Sequence, residues 1–170
     1  MSGTDKKYEI VMATKADKNE LLSLYDSLKG YEGCPWDEDY PSEETIDFDL
    51  KRDALFVLKE DGIIKATVSI DDDDQISALE CWNSDLAPEA EIARIGVLPD
   101  SQKKGYGKIM IAFIMEEAGR RGYKGIRMLV NRYNQKAIRL YAGFDFNVVG
   151  ECHMYDEDFL CYEKPLQARG

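Results

Sequence analysis

The sequence is poor in the residues that build metal sites. Its single histidine, His153, and its four cysteines lie far apart, and no two cysteines form a C-x-x-C pair. Because a structural zinc site takes four Cys or His ligands at short spacings, we expect no bound metal. Residues 71–74, four aspartates, lack the spacing of a calcium loop and are interpreted as a solvated turn. We interpret the histidine and the cysteines as structural or incidental; the cysteines are Cys34, Cys81, Cys152 and Cys161.

Long apolar runs and a signal peptide are also missing. The longest apolar stretch, Ile109 to Met115, is far shorter than the ~20 residues that cross a bilayer. Residues 1–7 lack the apolar region of a secretory signal. These absences predict a soluble, cytoplasmic protein with no membrane partner. In that reducing compartment the cysteines are expected to stay free thiols rather than form two disulfides.

Basic residues are outnumbered by acidic ones. The sequence has 22 Lys and Arg against 33 Asp and Glu, which gives a formal charge of −11. A field of this sign repels polyanions, so we expect no nucleic-acid partner and no partner in an anionic membrane. A small or cationic partner is favoured instead.

The chain has the size and patterning of one domain. Its 170 residues can bury a sizeable core, and no repeat or Pro/Gly-rich linker divides them. Apolar periodicity predicts strands at 8–13, 54–59, 63–70, 92–98, 126–130, 146–150 and 153–163, and helices at 17–30, 105–121 and 134–142. The long helix is apolar on nearly every side and should be buried; 31–53 is predicted as a loop with a short helix, and 71–88 as irregular. Strands that alternate with helices, with antiparallel hairpins at both ends, indicate an α+β or mixed α/β fold around one central sheet.

The most informative segment joins strand 92–98 to the long helix. Its sequence, Gln102-Lys103-Lys104-Gly105-Tyr106-Gly107-Lys108, places three lysines in an otherwise acidic chain. The unpaired N–H groups and the dipole of a helix N-terminus favour an anion, and glycines let the backbone approach a phosphate closely. The pattern is neither a Walker loop nor a Rossmann fingerprint. From these residues alone, a turn with solvated lysines before a core helix is an equally good interpretation.

Further motifs flank this loop. Arg94-Ile95-Gly96-Val97-Leu98-Pro99 precedes it, and Asn134-Gln135-Lys136-Ala137-Ile138-Arg139-Leu140-Tyr141 and then 146–151 follow it. Together they resemble the GNAT family of N-acetyltransferases. The loop is similar to the family's Q/R-x-x-G-x-G/A acetyl-CoA motif, 94–99 to its fourth strand, and 134–141 to its N-x-x-A helix. The resemblance is strong over 91–151, and the strand order is similar over 8–163.

One position departs from the family pattern. Asp145 stands where the family usually has glycine, four residues after the tyrosine. Gly143, two residues earlier, is the residue that we expect to end the helix instead, with a differently shaped turn after it.

The resemblance implies a fold and a donor substrate. It implies a single GNAT-like domain over residues 1–170, with a mixed, mostly antiparallel sheet of six to seven strands and about four flanking helices. A splay between strands 92–98 and 126–130 would admit the pantetheine arm of acetyl-CoA, and the acetyl-CoA-binding core would span about 91–151. The residues implied for cofactor binding are Ile95 and Val97 through their main chain, the backbone of Gln102, Lys103, Lys104, Gly105, Tyr106 and Gly107, Lys108 in support, and Asn134, which also caps its helix.

The resemblance also implies direct acetyl transfer, in a ternary complex, to a primary amine: a small amine, a lysine side chain or a protein N-terminus. A main-chain N–H near Val97 would stabilise the oxyanion. Tyr141 would be the general acid that protonates the leaving thiolate; from its spacing alone it is a buried aromatic on a helix face. The candidate general bases are Glu91 and Glu89, with Glu80 as a third. Edge carboxylates without a role, and a water chain as the base, are the alternatives.

The acceptor side is the part that the sequence determines least. By the resemblance, the connection after the first helix shapes the acceptor site, so Trp36, Tyr40 and Trp82, with the acids at 37–39, would form an acidic aromatic pocket for a cationic amine. A solvated acidic loop whose aromatics pack on the core is the other interpretation. The final hairpin is a candidate homodimer surface. The alternative function is a non-catalytic acyl-CoA-binding sensor or interaction domain with the same fold.

Overall fold

The computed structural model describes residues 7–30, 34 and 36–167. The N-terminal stretch 1–6, in which no signal is expected, lies outside the described residues, as do 31–33 and Pro35 of the predicted loop.

Seven strands form one mixed sheet. Their order across the sheet is β1-β2-β3-β4-β5-β7-β6, and within the described residues every pair is antiparallel except β4 and β5. The strands are β1 Tyr8–Met12, β2 Leu55–Glu60, β3 Ile63–Asp71, β4 Glu89–Val97, β5 Gly125–Asn131, β6 Asn147–Met154 and β7 Glu157–Pro165. The predicted class, the sheet of six to seven strands and both terminal hairpins are confirmed.

Four helices of eight or more residues flank the sheet in the described part of the chain, as expected. They are α1 Lys18–Leu28, α2 Glu43–Lys51, α4 Tyr106–Arg120 and α5 Gln135–Ala142; the one-turn α3 spans Asp74–Ser77. The 3₁₀ turns Lys15–Asp17, Ser84–Leu86 and Pro99–Lys104 complete the helical elements.

The sheet separates two hydrophobic cores. On one face, α4 and α5 cover the larger core, to which Met110, Ile111 and Ile114 contribute fully buried side chains. On the other face, α1 and α2 cover a smaller core around Leu24 and Tyr25. Strand β2 serves both cores because its successive side chains point to opposite faces. The prediction that helix α4 is buried on nearly every side is wrong for the row Lys108, Ala112, Glu116 and Arg120, which faces solvent.

Two local predictions need correction. Strand β4 begins at Glu89, three residues earlier than expected, because it pairs there with β5. The segment 71–88 is less irregular than predicted, since Asp73 caps α3 by accepting hydrogen bonds from the backbone N–H groups of Gln75 and Ile76.

The turn after α5 explains the unusual Asp145. Gly143 ends the helix, as expected, but has an ordinary right-handed conformation with φ −78°. Asp145 has φ 58°, in the left-handed region where glycine has no steric cost. The glycine that the family usually has at this position therefore matches a backbone requirement, which aspartate tolerates better than most residues.

Candidate active site

A cleft opens where β4 and β5 separate. Their parallel pairing covers three residue pairs and ends at Glu91 and Arg127, after which both strands continue apart. The cleft between them has a volume of about 740 Å³. Its walls come from the second half of β4, the end of β5, the 3₁₀ turn and start of α4, and α5. The splay expected between these two strands is therefore present.

A bulge in β4 accompanies the separation. The β3–β4 register runs from Thr67 opposite Gly96 to Ser69 opposite Ala93, so that two β4 residues oppose one residue of β3. The first of the two, Arg94, has φ 51°. A bulge of this kind bends its strand and increases the local twist. The bulge lies three residues beyond Glu91, the last β4 residue that pairs with β5.

One end of the cleft is built as an anion cradle. The turn Pro99–Lys104 leads into Gly105, which has φ 81° and precedes the first turn of α4. A side chain at Gly105 would meet no atom within 4 Å, so the glycine serves its backbone conformation rather than the packing. The first N–H groups of a helix have no partner inside it and attract negative charge.

The charge of the cleft is opposite to that of the whole chain. Among the described residues, the charged side chains that line it are Arg94, Asp100, Lys103, Lys108, Lys136 and Arg139. Arg94 is paired with Asp49 and Asp71, so four cations stand against one carboxylate. In a chain of charge −11, this local excess of positive charge fits a polyanionic ligand. The cradle and these cations together suit the phosphates of a nucleotide-type ligand.

Gln102 spans the rim of the cleft. Its side-chain amide donates to the main-chain oxygen of Val97 at 3.1 Å, and its oxygen accepts from Lys136 Nζ on α5 at 3.1 Å. The residue thus joins β4, the loop and α5.

Tyr141 lies in the wall of the cleft and is 4% exposed. Its ring packs edge-on against Phe146 and Tyr162, with centroids 6.0 and 6.1 Å away. Burial raises the pKa of the Tyr141 phenol, so the hydroxyl keeps its proton across the physiological range. It is both a buried aromatic and a cleft residue, so the two interpretations of its spacing are compatible.

Glu91 is a buried carboxylate at the closed end of the splay. It is 4% exposed, and its Oε1 has no hydrogen-bond partner among the described residues. Burial, with repulsion from Asp71 and Asp73, raises the pKa of Glu91 to about 8. Glu91 pairs with Arg127 at the last rung before the strands separate, and it is not part of the cleft lining.

Glu89 has a different environment. Burial, with the neighbouring Glu163, raises its pKa, and Arg127 Nη1 lies 3.5 Å from its carboxylate. Glu163 in turn accepts from the backbone N–H of Asn83 at 2.9 Å. Glu89 is thus held in a buried group of charges two residues before Glu91, further from the opening.

The family follows from comparison with known proteins. The model of the acetyltransferase (GNAT) family matches residues 21–146. The chain belongs to the GNAT family. A search of curated protein sequences finds no significant match.

Solved GNAT structures share the fold over almost the whole chain. The ribosomal-protein-S18-alanine N-acetyltransferase of Escherichia coli is 21% identical, with 96% of each chain covered and a TM-score of 0.73. A GNAT acetyltransferase of Streptococcus agalactiae is 16% identical, with 95% of this chain and 97% of that one covered and a TM-score of 0.79. A Salmonella typhimurium protein solved with its cofactor acetyl-CoA is 18% identical, with 96% of each covered and a TM-score of 0.74. The family supports acyltransferase activity with acetyl-CoA as the donor, and the neighbours support the fold.

Most of the residues expected to bind the cofactor line the cleft, and two others, expected to act through their backbone, have side chains directed elsewhere. The lining includes Ile95, Val97, Gln102, Lys103, Gly105, Gly107, Lys108 and Asn134. The side chains of Lys104 and Tyr106 turn to the opposite side of the loop. There Lys104 Nζ lies 3.2 Å from Glu60 Oε1, and the Tyr106 hydroxyl donates to the same oxygen at 2.7 Å.

The predicted acceptor residues are dispersed. Trp36 lines the cleft and packs edge-on against Tyr25. Tyr40 is 42% exposed, and its hydroxyl accepts from Arg94 at 2.8 Å. Trp82 lies elsewhere, where its indole N–H donates to the Ile76 carbonyl and its ring stacks on Arg127. Of the three, only Trp36 belongs to the described cleft lining.

Several polar residues of the cleft were not assigned from the sequence: besides Arg94 and Asp100, three more line it on the side of β5 and α5. Lys136 and Arg139 project from α5, and Asn131 ends β5 with 6% exposure. The two cations lie inside the motif 134–141, and their i, i+3 spacing places them on one helix face. Their charge was the signal that could have identified them.

The described residues contain neither a metal-ion cluster nor a membrane-spanning helix. No group of three or more His, Cys, Asp or Glu side chains is arranged to hold a metal ion. No helix there has the length and apolarity to cross a membrane.

Proposed function

We propose that this GNAT protein transfers an acetyl group from acetyl-CoA directly to a primary amine within a ternary complex. The observation that carries the proposal is the cation-lined cleft between the separated strands β4 and β5. The acceptor is a small amine, a lysine side chain or a protein N-terminus. The reaction forms an N–C bond, breaks the C–S bond of the thioester and releases free CoA.

The donor is held by residues within 91–151. The cradle at Gly105 and Gly107, with Lys103 and Lys108, binds the pyrophosphate, while Lys136 and Arg139 add charge from α5. A Cβ at Gly107 would lie 3.3 Å from the Leu140 side chain, so glycine keeps the loop close to α5. Main-chain groups of Ile95 and Val97 face the pantetheine arm, since the splay leaves this edge of β4 without β5. A main-chain N–H near Val97 stabilises the developing oxyanion.

Tyr141 serves as the general acid. Burial raises its pKa and makes it a weaker acid than a free tyrosine, but the phenol carries a proton at neutral pH. It can therefore donate to the thiolate sulfur as the C–S bond breaks, and solvent or the proton released by the amine restores it. Loss of such a donor typically costs about 100- to 10,000-fold in rate.

Glu91 is the better of the two proposed bases. A raised pKa of about 8 matches the operating range of a general base that takes a proton from an ammonium group. Among the described residues its Oε1 has no hydrogen-bond partner, which is also true of Glu89 Oε2. Glu89 is already engaged with Glu163 and Arg127. Because Glu91 lies behind the cleft lining, the proton reaches it through one or more waters.

The test is the release of free CoA from acetyl-CoA with a panel of amines. The unaltered chain and Tyr141→Phe are compared at saturating amine, and CoA binding is measured in parallel by calorimetry. The expected result is turnover with at least one amine and a loss of kcat of about 100-fold or more in Tyr141→Phe, with CoA affinity retained.

The other outcomes separate the parts of the proposal. Tight CoA binding without turnover on any amine would refute transfer and favour the acyl-CoA sensor. Turnover that Tyr141→Phe leaves unchanged would refute the role of the acid. Wild-type activity in Glu91→Gln across pH 6 to 9 would refute the role of Glu91 as general base and favour a water chain.

A further inference from the structure

The side chain of Arg94 is the most heavily hydrogen-bonded cation in the interior. It is 3% exposed, and all five of its N–H donors are used. Nε and Nη2 donate to the two oxygens of Asp49 at 3.1 and 2.6 Å. Nη1 and Nη2 donate to the two oxygens of Asp71 at 3.2 Å each, and Nη1 also donates to the Tyr40 hydroxyl at 2.8 Å.

This network joins four separate parts of the chain. Asp49 lies on α2, Asp71 ends β3, Tyr40 lies between α1 and α2, and Arg94 is the bulge residue of β4. Arg52 also contacts Asp49 Oδ1, at 2.6 Å. The positive charges of two arginines thus offset the negative charges of two aspartates. Burial of so many charges is costly unless every group is paired, as it is here.

The backbone of Arg94 gives this network a function beyond stability. Its φ of 51° is unfavourable for any residue except glycine, and such strain persists only where the surroundings enforce it. Five hydrogen bonds donated by the planar guanidinium fix the side chain, and through it the backbone, in this conformation. The next residue, Ile95, lines the cleft.

We infer that Arg94 is a positioning residue for the transfer reaction. Its guanidinium holds the β4 bulge in the shape that presents the main chain of Ile95 and Val97 to the donor. Through the Tyr40 hydroxyl, it also fixes the stretch around Tyr40, just before α2, against that bulge. The donor-binding strand and the segment beside Trp36 are thereby aligned as one unit. This inference rests on the proposed function.

The test uses three variants in the intact protein. Arg94→Lys keeps the charge but has three donors in place of the planar fork of five. Arg52→Lys is the matched control, because Arg52 bonds the same Asp49 but lies on the exposed side of the cluster and outside β4. Tyr40→Phe removes a single hydrogen bond at a residue that is 42% exposed, so it remains informative if Arg94→Lys does not fold.

The measurements are kcat and KM for acetyl-CoA and for the amine, and CoA affinity by calorimetry. They are made well below the melting temperature of each variant. Arg94→Lys should lower kcat by about 100-fold, the scale of a small misplacement of reacting groups, and should weaken CoA binding. Tyr40→Phe should lower kcat/KM for the amine by about three- to tenfold with CoA affinity unchanged. Arg52→Lys should leave kcat, both KM values and the CoA affinity close to those of the unaltered protein.

Backbone amide NMR of the ligand-free protein separates this inference from the proposed function. Arg94→Lys should shift the signals of Ile95 and Val97, whereas Arg52→Lys should leave them in place. Equal effects of Arg94→Lys and Arg52→Lys on kinetics and on these signals would overturn the positioning role. So would a Tyr40→Phe variant with unchanged kcat/KM for the amine. Failure of the unaltered protein to bind CoA would refute the proposed function instead. The amide signals of the ligand-free variants would still test whether Arg94 holds the β4 bulge.

Discussion

The buried carboxylate of Glu91 makes the stability of the protein depend on pH in an unusual direction. Its pKa is about 8 in the folded protein, against an ordinary value of 4.5. The folded state therefore binds the proton more tightly than the unfolded chain does. The stabilisation is complete below about pH 4.5 and is lost as the pH rises through 8. Most acidic residues act in the opposite sense.

Glu91→Gln should remove this contribution, because glutamine resembles the protonated acid and does not titrate. The free energy of unfolding of the native protein should fall by up to about 1.4 kcal/mol per pH unit between about pH 5 and 8 through Glu91 alone. Between about pH 5.5 and 7.5, the stability difference between Glu91→Gln and the native protein should thus grow by about 2.5 kcal/mol in favour of the variant. In a chain of this length, that corresponds to about 5–10 °C in Tm.

The assay is urea unfolding followed by circular dichroism at several pH values across this range. Glu44→Gln is the control, because Glu44 is an exposed carboxylate on α2. Its measured effect on stability at each pH is the baseline with which that of Glu91→Gln is compared. A difference between Glu91→Gln and the native protein that stays constant from pH 5.5 to 7.5 would show that Glu91 does not hold a proton in the folded state.

Three further predictions concern the loops and the cleft. Asp145→Gly should raise the free energy of unfolding by about 0.5–1 kcal/mol, since φ 58° suits glycine, whereas Asp145→Ala should not stabilise; urea unfolding measures both. Gly105→Ala should lower the free energy of unfolding by about 1–2 kcal/mol, because alanine is strained at φ 81° although its Cβ would meet no other atom. The same change should weaken CoA binding. An unchanged Tm would show that the backbone conformation carries no such cost. The double variant Lys136→Ala and Arg139→Ala should weaken CoA binding by about tenfold at low salt and by less at high salt, and calorimetry that shows no salt-dependent loss would exclude these cations from the site.

Much of the acetyl-CoA-binding half of the protein could be predicted because the sequence patterns that encode it are local. The hairpin at Asp61-Gly62, the strand before Pro99 and the glycine loop before α4 are each encoded within a few residues. The family motifs placed the splay between β4 and β5, which no periodicity indicates. Asp145 was noticed as a departure, and the left-handed backbone there explains why the family prefers glycine.

The features that sequence reasoning missed depend on residues far apart in the chain. Lys104 and Tyr106 turn away from the cleft because Glu60, more than forty residues earlier, attracts both. Trp82 is held by the Ile76 carbonyl and by Arg127 rather than by an acceptor pocket. The alternating pattern of β4 carries no sign of the bulge at Arg94, since a bulge shows only in the register with β3.

The most direct test of the account is a titration of the ¹⁵N-labelled protein with CoA, followed by amide signals. In the proposed function, the donor lies in the cleft between β4 and β5. The signals of Ile95, Val97 and residues 103–108 should shift together and saturate, while those of β1 should not move. Saturable shifts confined to other parts of the protein, or no shifts at millimolar CoA, would contradict it.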